Sequence, residues 1–161
     1  MIFLTVGSQL PFDRLVRAVD EWAATRGKEV VGQVGASKLN PRRIAAVPNL
    51  DSQEFAKKMQ EATAIVSHAG MGTILSALAL RKPILIMPRM AQFKEHRNDH
   101  QIATVKQLHG RSGVLVAMRE NEVSEQLDAL ENLAIADSPP NLALDHLISG
   151  IRSFIGTDAI R

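Results

Sequence analysis

The chain has 161 residues, 45% of them hydrophobic and 22% charged, with a formal net charge of +2 and no cysteine. That length suits one domain with a full hydrophobic core, and the composition is that of a soluble globular protein. The absence of cysteine excludes a disulfide framework, a thiolate metal site and a thiol nucleophile, and suits a reducing, cytoplasmic compartment.

Taken in chain order, "IFLTVG" (2–7) is a β-rich run ending in glycine. No basic leader precedes it and Gly7, Ser8 and Gln9 break it, so it reads as a strand and not as a signal peptide. Pro11 suits the first turn of a helix whose apolar face is Phe12, Leu15, Val16, Val19 and Ala23. "EVVGQVG" (29–35) and "RIAAVP" (43–48) read as the next two strands. Asp51 with Glu54 makes a capping-box start for a helix carrying Phe55, Met59 and Ala62. "TAIVS" (63–67) is a fourth strand, and Ile74, Leu75, Leu78 and Ala79 place a helix over 72–80. "PILIMP" (83–88) is short and wholly apolar, as expected where both faces of a parallel sheet are covered. A helix over 98–108 then leads to the strand "GVLVA" (113–117). Helical stretches at 121–134 and 141–155 close the chain, separated by Ser138-Pro139-Pro140.

This alternation predicts an α/β fold, a single Rossmann-like doubly wound parallel sheet, with one domain over 1–156 and a frayed tail at 157–161. No stretch reaches the ~20 apolar residues of a membrane-spanning helix. Charge is uneven: 81–111 holds seven Lys/Arg against two acids, and 120–145 holds seven acids without Lys or Arg. The basic stretch reads either as facing an anionic ligand or membrane surface, or as one of two solvated faces. Aromatics are 4% of the chain and none is interleaved with the basic residues, which argues against nucleic acid.

Ligands of such sheets bind beyond the carboxyl ends of the strands. Four loops meet that condition. In Gly7-Ser8-Gln9 the glycine permits close backbone approach and the serine offers a hydroxyl, although a glycine ending a strand is common. No Gly-x-Gly-x-x-Gly and no Gly-Lys-Ser/Thr is present, so this is neither a dinucleotide fingerprint nor a Walker A loop. "SHAGMGT" (67–73) joins a buried strand to a helix. There Gly70 and Gly72 bare backbone amides where aligned peptide dipoles favour an anion, and His68 and Thr73 add side-chain donors. The same stretch can equally be a tight turn around a hydrogen-bonded histidine. "MPRMAQFKEHRNDHQ" (87–101) concentrates Arg89, Lys94, Glu95, His96, Arg97, Asn98, Asp99, His100 and Gln101 at one strand end, which suits a polyhydroxylated ligand such as a sugar. Its competing reading is a solvated loop with Asn98 or Asp99 as helix cap. His96 and His100 stand at i, i+4, but Arg97 sits where a zinc protease needs glutamate and no third ligand is evident, so no metal is expected.

"TVGSQLPFDRL", "SHAGMGTILSAL" and "KPILIMPR…EHRNDHQ" together resemble the C-terminal, nucleotide-sugar-binding half of GT-B glycosyltransferases of the family 28 C-terminal type. Within that family they are similar to small catalytic subunits of two-component enzymes. Those are the catalytic partner of the dolichol-linked N-acetylglucosamine transferase and bacterial exopolysaccharide or capsular polysaccharide transferases. The likeness runs over residues 1–115.

The resemblance implies a UDP-sugar donor and no cofactor. Its diphosphate would lie on His68, Ala69, Gly70, Met71, Gly72 and Thr73 with Gly7, Ser8 and Gln9. The uracil would lie against Val47, Pro48, Asn49 and Leu50. Asn98, Asp99, His100 and Gln101 would hydrogen-bond the sugar. Many relatives carry glutamate for the ribose where this chain has Ser76. The sugar would be glucuronate or a neutral hexose, with Arg89 or Arg97 available to a uronic carboxylate. Transfer would invert the anomeric carbon. The acceptor, a lipid-linked saccharide, would be held by a membrane-associated glycosyltransferase subunit that recruits this chain to the inner face of the membrane. The general base would lie on that partner, with His68 as the local candidate. The alternative readings are a non-enzymatic nucleotide-binding regulatory or scaffold module, and an oxidoreductase on the same fold.

Overall fold

The computed structural model describes residues 1–133. Strands and helices alternate through them: β1 (Ile2–Thr5), α1 (Asp13–Arg26), β2 (Val30–Gln33), β3 (Ile44–Val47), α2 (Ser52–Glu61), β4 (Ala64–His68) and α3 (Met71–Ala79). They continue with β5 (Ile84–Met87), a 3-10 turn (Ala91–Phe93), α4 (His100–Leu108), β6 (Val114–Val116) and α5 (Glu120–Asn132). All pairings are parallel, in the order β3-β2-β1-β4-β5-β6. The chain therefore reverses its direction of winding between β1 and β4, where a doubly wound sheet opens a crevice at its carboxyl edge.

Side chains alternate across the sheet and both faces are covered, which is why the central strands are mostly apolar, with Thr5, Ser67 and His68 at their carboxyl ends. Leu4, Val66, Leu85 and Met87 pack under Leu15, Val19 and Trp22 of α1 and Val123 and Leu127 of α5. Phe3, Ile65, Ile84 and Ile86 pack on the other side under Met59 of α2, Ile74 and Ala77 of α3, and Val105 and Leu108 of α4. The α2 start has the expected capping box: Asp51 accepts the N–H groups of Gln53 and Glu54, and Glu54 reaches back to the Asp51 N–H.

Two boundaries differ from expectation. Helix α1 begins at Asp13 with Phe12 as its N-cap, so Pro11 lies in the loop and not in the first turn. Helix α4 begins at His100, because residues 90–99 close a turn in which the Asp99 carboxylate accepts the Ala91 N–H at 2.8 Å. Asp99 is the N-cap residue by position, yet its side chain caps nothing in α4. The 141–155 helix, the 157–161 tail and the 1–156 domain boundary lie outside the described residues.

The acidic stretch has a structural use in its described part. Asp128 of α5 binds Arg26 at 2.7 Å and the Trp22 indole N–H at 2.8 Å, and Glu131 binds Lys28 at 2.9 Å. These pairs line α5 along α1. Exposed as they are, these pairs add little to stability, and orientation is their main effect.

Candidate functional site

Three loops separated in sequence converge on the carboxyl edge at the β1/β4 switch point. They enclose a cavity of about 290 Å3 lined by Val6 to Leu10 after β1, His68 and Gly70 after β4, and Arg89, Glu95, His96, His100 and Gln101 after β5. A second hollow of about 320 Å3 lies between α1 and α5, lined by Arg14, Trp22 and Glu120 among others.

The β4 loop is built around His68. A Cβ on Gly70 would stand 2.3 Å from the His68 Nε2, and one on Gly7 would stand 3.0 Å from its Cε1. The imidazole is thus wedged between two glycines, and Gly7 also adopts a positive φ of 76°. Gly70 serves first to admit the ring. Gly72 differs, since a Cβ there would meet nothing within 4 Å. Gly70 caps α3 without a side-chain hydrogen bond, so the N–H groups of the first turn keep no intrahelical acceptor. Burial, then the neighbouring Arg89 and His96 charges, push the His68 pKa down to about 4 against an opposing contact with the Thr5 backbone. His68 is therefore neutral at physiological pH. Its single N–H is then shared between the Thr5 carbonyl and any anion in the cavity, and as a proton acceptor it is feeble.

The β5 loop is held by buried ions. The four terminal N–H groups of Arg89, which is 3% exposed, go to backbone carbonyls: Val6 at 2.5 Å, Leu10 at 2.7 Å, Pro11 at 2.9 Å and Glu95 at 3.1 Å. Its Cζ lies over the Phe12 ring, 4.8 Å from the centroid. Burial pushes the Arg89 pKa down to about 10, partly offset by Glu95. The Glu95 carboxylate binds Arg14 in a fork of two 2.7 Å bonds and accepts the Met90 N–H at 3.1 Å. Arg14 continues to Glu120 at 2.8 Å.

The expectation that Arg89 offers its fork to a uronic carboxylate is corrected by this geometry: the terminal nitrogens are already engaged by four carbonyls. Gln101 is buried at the cavity wall, and its amide oxygen accepts the Arg89 backbone N–H at 3.0 Å. Asn98 is used within the loop, its side-chain oxygen meeting His100 Nδ1 while its N–H reaches His96 Nδ1 at 3.4 Å. The two imidazoles meet edge to face with centroids 4.4 Å apart.

Of the residues singled out from sequence, Gly7, Ser8, Gln9, His68, Gly70, Arg89, His100 and Gln101 line the cavity. Met71, Gly72, Thr73 and Ser76 lie on α3 beside it, with Met71, Gly72 and Ser76 exposed. Arg97, Asn98 and Asp99 are exposed in the β5 loop and are not part of the lining. Val47 ends β3 and Pro48 to Leu50 follow it; none of the four is in the cavity lining, and the Val47 and Pro48 carbonyls accept the Val34 and Gly35 N–H groups at 2.9 Å. Glu95 and His96, named in the sequence among the polar groups of this loop but assigned no part of the donor, complete the lining with Val6 and Leu10. The partner of Glu95 is 81 residues away, so no local pattern signals it. Among the described residues no group of three His, Asp or Glu side chains is placed to hold a metal, and no helix is long and apolar enough to cross a membrane.

Residues 1–137 match the model of the glycosyltransferase family 28 C-terminal domain. No curated protein sequence matches the chain. Its fold is similar to the solution structure of ALG13, with a TM-score of 0.63 and 17% identity over 91% of this chain and 94% of that one. It is similar to the glycotransferase of kitacinnamycin, with a TM-score of 0.60 and 19% identity over 94% of this chain and 38% of that one. It is also similar to the UDP-GlcNAc 2-epimerase of Methanocaldococcus jannaschii, solved with UDP-GlcNAc and UDP. There the TM-score is 0.61 and the identity 12%, over 95% of this chain and 45% of that one. The chain thus spans less than half the length of the last two proteins, and at these identities the likeness is one of fold.

Proposed function

The chain belongs to the glycosyltransferase family 28 C-terminal domain family, and on that premise we propose that it binds the UDP-sugar donor of a two-subunit transferase. The observation that carries this reading is the meeting of the β1, β4 and β5 loops in one cavity at the switch point of the sheet. The diphosphate would take the free N–H groups at the start of α3, the Gly7–Gln9 backbone and one N–H of neutral His68. The Val47–Leu50 loop would carry the uracil. The Gln101 amide nitrogen and His100 would meet the sugar hydroxyls, and Arg97 remains for a uronic carboxylate once Arg89 is committed to carbonyls.

The acceptor hydroxyl would attack the anomeric carbon from the face opposite the diphosphate. The new C–O bond forms as the bond from that carbon to the diphosphate oxygen breaks, UDP departs, and configuration inverts. Helix dipole and amide donors stabilise the charge on UDP. The hydroxyl proton would pass to a base on the partner, since His68 at a pKa of about 4 is too weak a base for it. The partner is a membrane-associated subunit holding a lipid-linked saccharide acceptor for exopolysaccharide or capsule synthesis, and it recruits this chain to the membrane.

The test is thermal unfolding with UDP, ADP or NAD, alone and with the candidate partner, followed by a transfer assay with UDP-glucuronate and UDP-hexoses. Ligand at a hundred times its Kd stabilises by about 2.7 kcal/mol. Stabilisation by UDP followed by sugar transfer supports the reading. Binding of UDP without transfer, partner present, would make the chain a nucleotide-binding regulatory module, and NAD binding would revive an oxidoreductase.

A further inference from the structure

A buried cation is costly unless a carboxylate meets it. Arg89 is buried, yet among the described residues no carboxylate is bonded to its guanidinium: the acid beside it, Glu95, spends its oxygens on Arg14 and the Met90 N–H. Carbonyls alone satisfy the terminal nitrogens. Three of those carbonyls, from Val6, Leu10 and Pro11, bracket the loop whose Gly7–Gln9 backbone lines the cavity, and Arg89 itself lines its wall. The fourth belongs to Glu95 in the β5 loop, so one side chain ties two walls of the cavity together. Carbonyl dipoles orient a guanidinium but leave its net charge in place.

We propose that Arg89 is the positioning residue of the anion site: it fixes the Gly7–Leu10 loop by its carbonyls and keeps a positive charge, only partly offset by nearby Glu95, that the bound diphosphate completes. This rests on the donor-site reading above and adds a residue to it. The anion makes no hydrogen bond to Arg89. It receives the loop amides that Arg89 holds in place and, through the low-dielectric wall, the attraction of the charge. That Glu95 is bonded to Arg14 and not to Arg89 then has a function, since a directly bonded carboxylate would cancel more of the attraction.

Arg89→Met removes both charge and clamp. Arg89→Lys keeps the charge, but three ammonium N–H groups cannot serve four carbonyls. Calorimetry would measure the Kd of UDP and of inorganic diphosphate at low and high salt for the wild type and both variants. Hydrogen exchange would report the amides of Ser8 to Leu10. Val123→Ala, which loosens the core beneath α5, controls for lost stability alone.

Arg89→Met is expected to weaken both ligands by roughly tenfold or more and to flatten the salt dependence. Arg89→Lys is expected to keep the salt dependence, speed exchange at Ser8 to Leu10 and weaken UDP by a smaller factor. The control should retain wild-type affinity. If Arg89→Met does not fold, Arg89→Lys decides alone: a loosened loop with unchanged affinity overturns the proposal. Unchanged affinity in a folded Arg89→Met also overturns it and leaves the donor-site reading standing. A wild type that binds neither UDP nor inorganic diphosphate overturns both.

Discussion

The two glycines at the start of α3 should respond to alanine in opposite directions. Gly70 has φ −92° and ψ 126°, ordinary for any residue, so alanine strains no backbone there. The cost is steric. The new methyl would stand 2.3 Å from His68 Nε2 and 2.9 Å from Cδ2 and Cε1, and retreat is limited because Gly7 closes the other side of the ring. Overpacking of this kind costs about 1–3 kcal/mol. Gly72 lies inside the helix with nothing within 4 Å of its would-be Cβ. Alanine there regains about 0.5–1 kcal/mol of backbone entropy. At roughly 2–4 °C per kcal/mol for a chain of this size, Gly70→Ala should lower the Tm by several degrees and Gly72→Ala raise it by a few. Differential scanning calorimetry of the unliganded chain measures both. UDP titration should show Gly72→Ala weakened, since its methyl occupies the space left for the diphosphate. Adding His68→Ala to Gly70→Ala should recover part of the loss, a positive coupling between contacting sites. Gly70→Ala as stable as the wild type, or His68→Ala and Gly70→Ala losses that simply add, would refute the wedge.

Because the folded His68 pKa is about 4 against an ordinary 6.5, the unfolded chain binds a proton there more readily. Stability should be fully present above pH 6.5 and lost as pH falls towards 4, by about 3 kcal/mol, and His68→Gln should flatten that part of the profile measured by denaturant titration. Glu95→Gln breaks the fork to a 12%-exposed Arg14 that keeps Glu120, so a loss of about 2–3 kcal/mol is expected by urea unfolding. Among the described residues the buried Gln33 oxygen has no hydrogen-bond partner, so Gln33→Met should hold or raise the Tm, worth up to about 1 kcal/mol. Ser76→Glu supplies a carboxylate able to grip ribose hydroxyls and should tighten UDP by about tenfold in calorimetry, while binding of inorganic diphosphate stays the same.

The sequence by itself determined the architecture. Unbroken apolar runs at 2–4, 64–66 and 84–87 announce strands covered on both faces, and the Asp51–Glu54 box and the spacing of Leu15, Val16 and Val19 announce helices. Those signals are local, carried by periods of two and 3.6 residues and by side chains within one turn of the backbone they cap. Local chemistry also pointed to the β1, β4 and β5 loops, because doubly wound sheets bind at strand ends. Only the tertiary structure decided what individual residues in those loops do. Gly70 reads as bare backbone for a ligand until His68 is seen filling the space opposite it. Arg89 reads as a ligand-binding fork until four carbonyls, three of them from the far end of the chain, are found around it. Glu95 reads as one polar residue among many until Arg14 arrives from 81 residues away. The acids of α5 read as a solvated face until α1 lies beside them. Each of these roles depends on which surface packs opposite, and that is set when non-local elements meet and bury one another's charges.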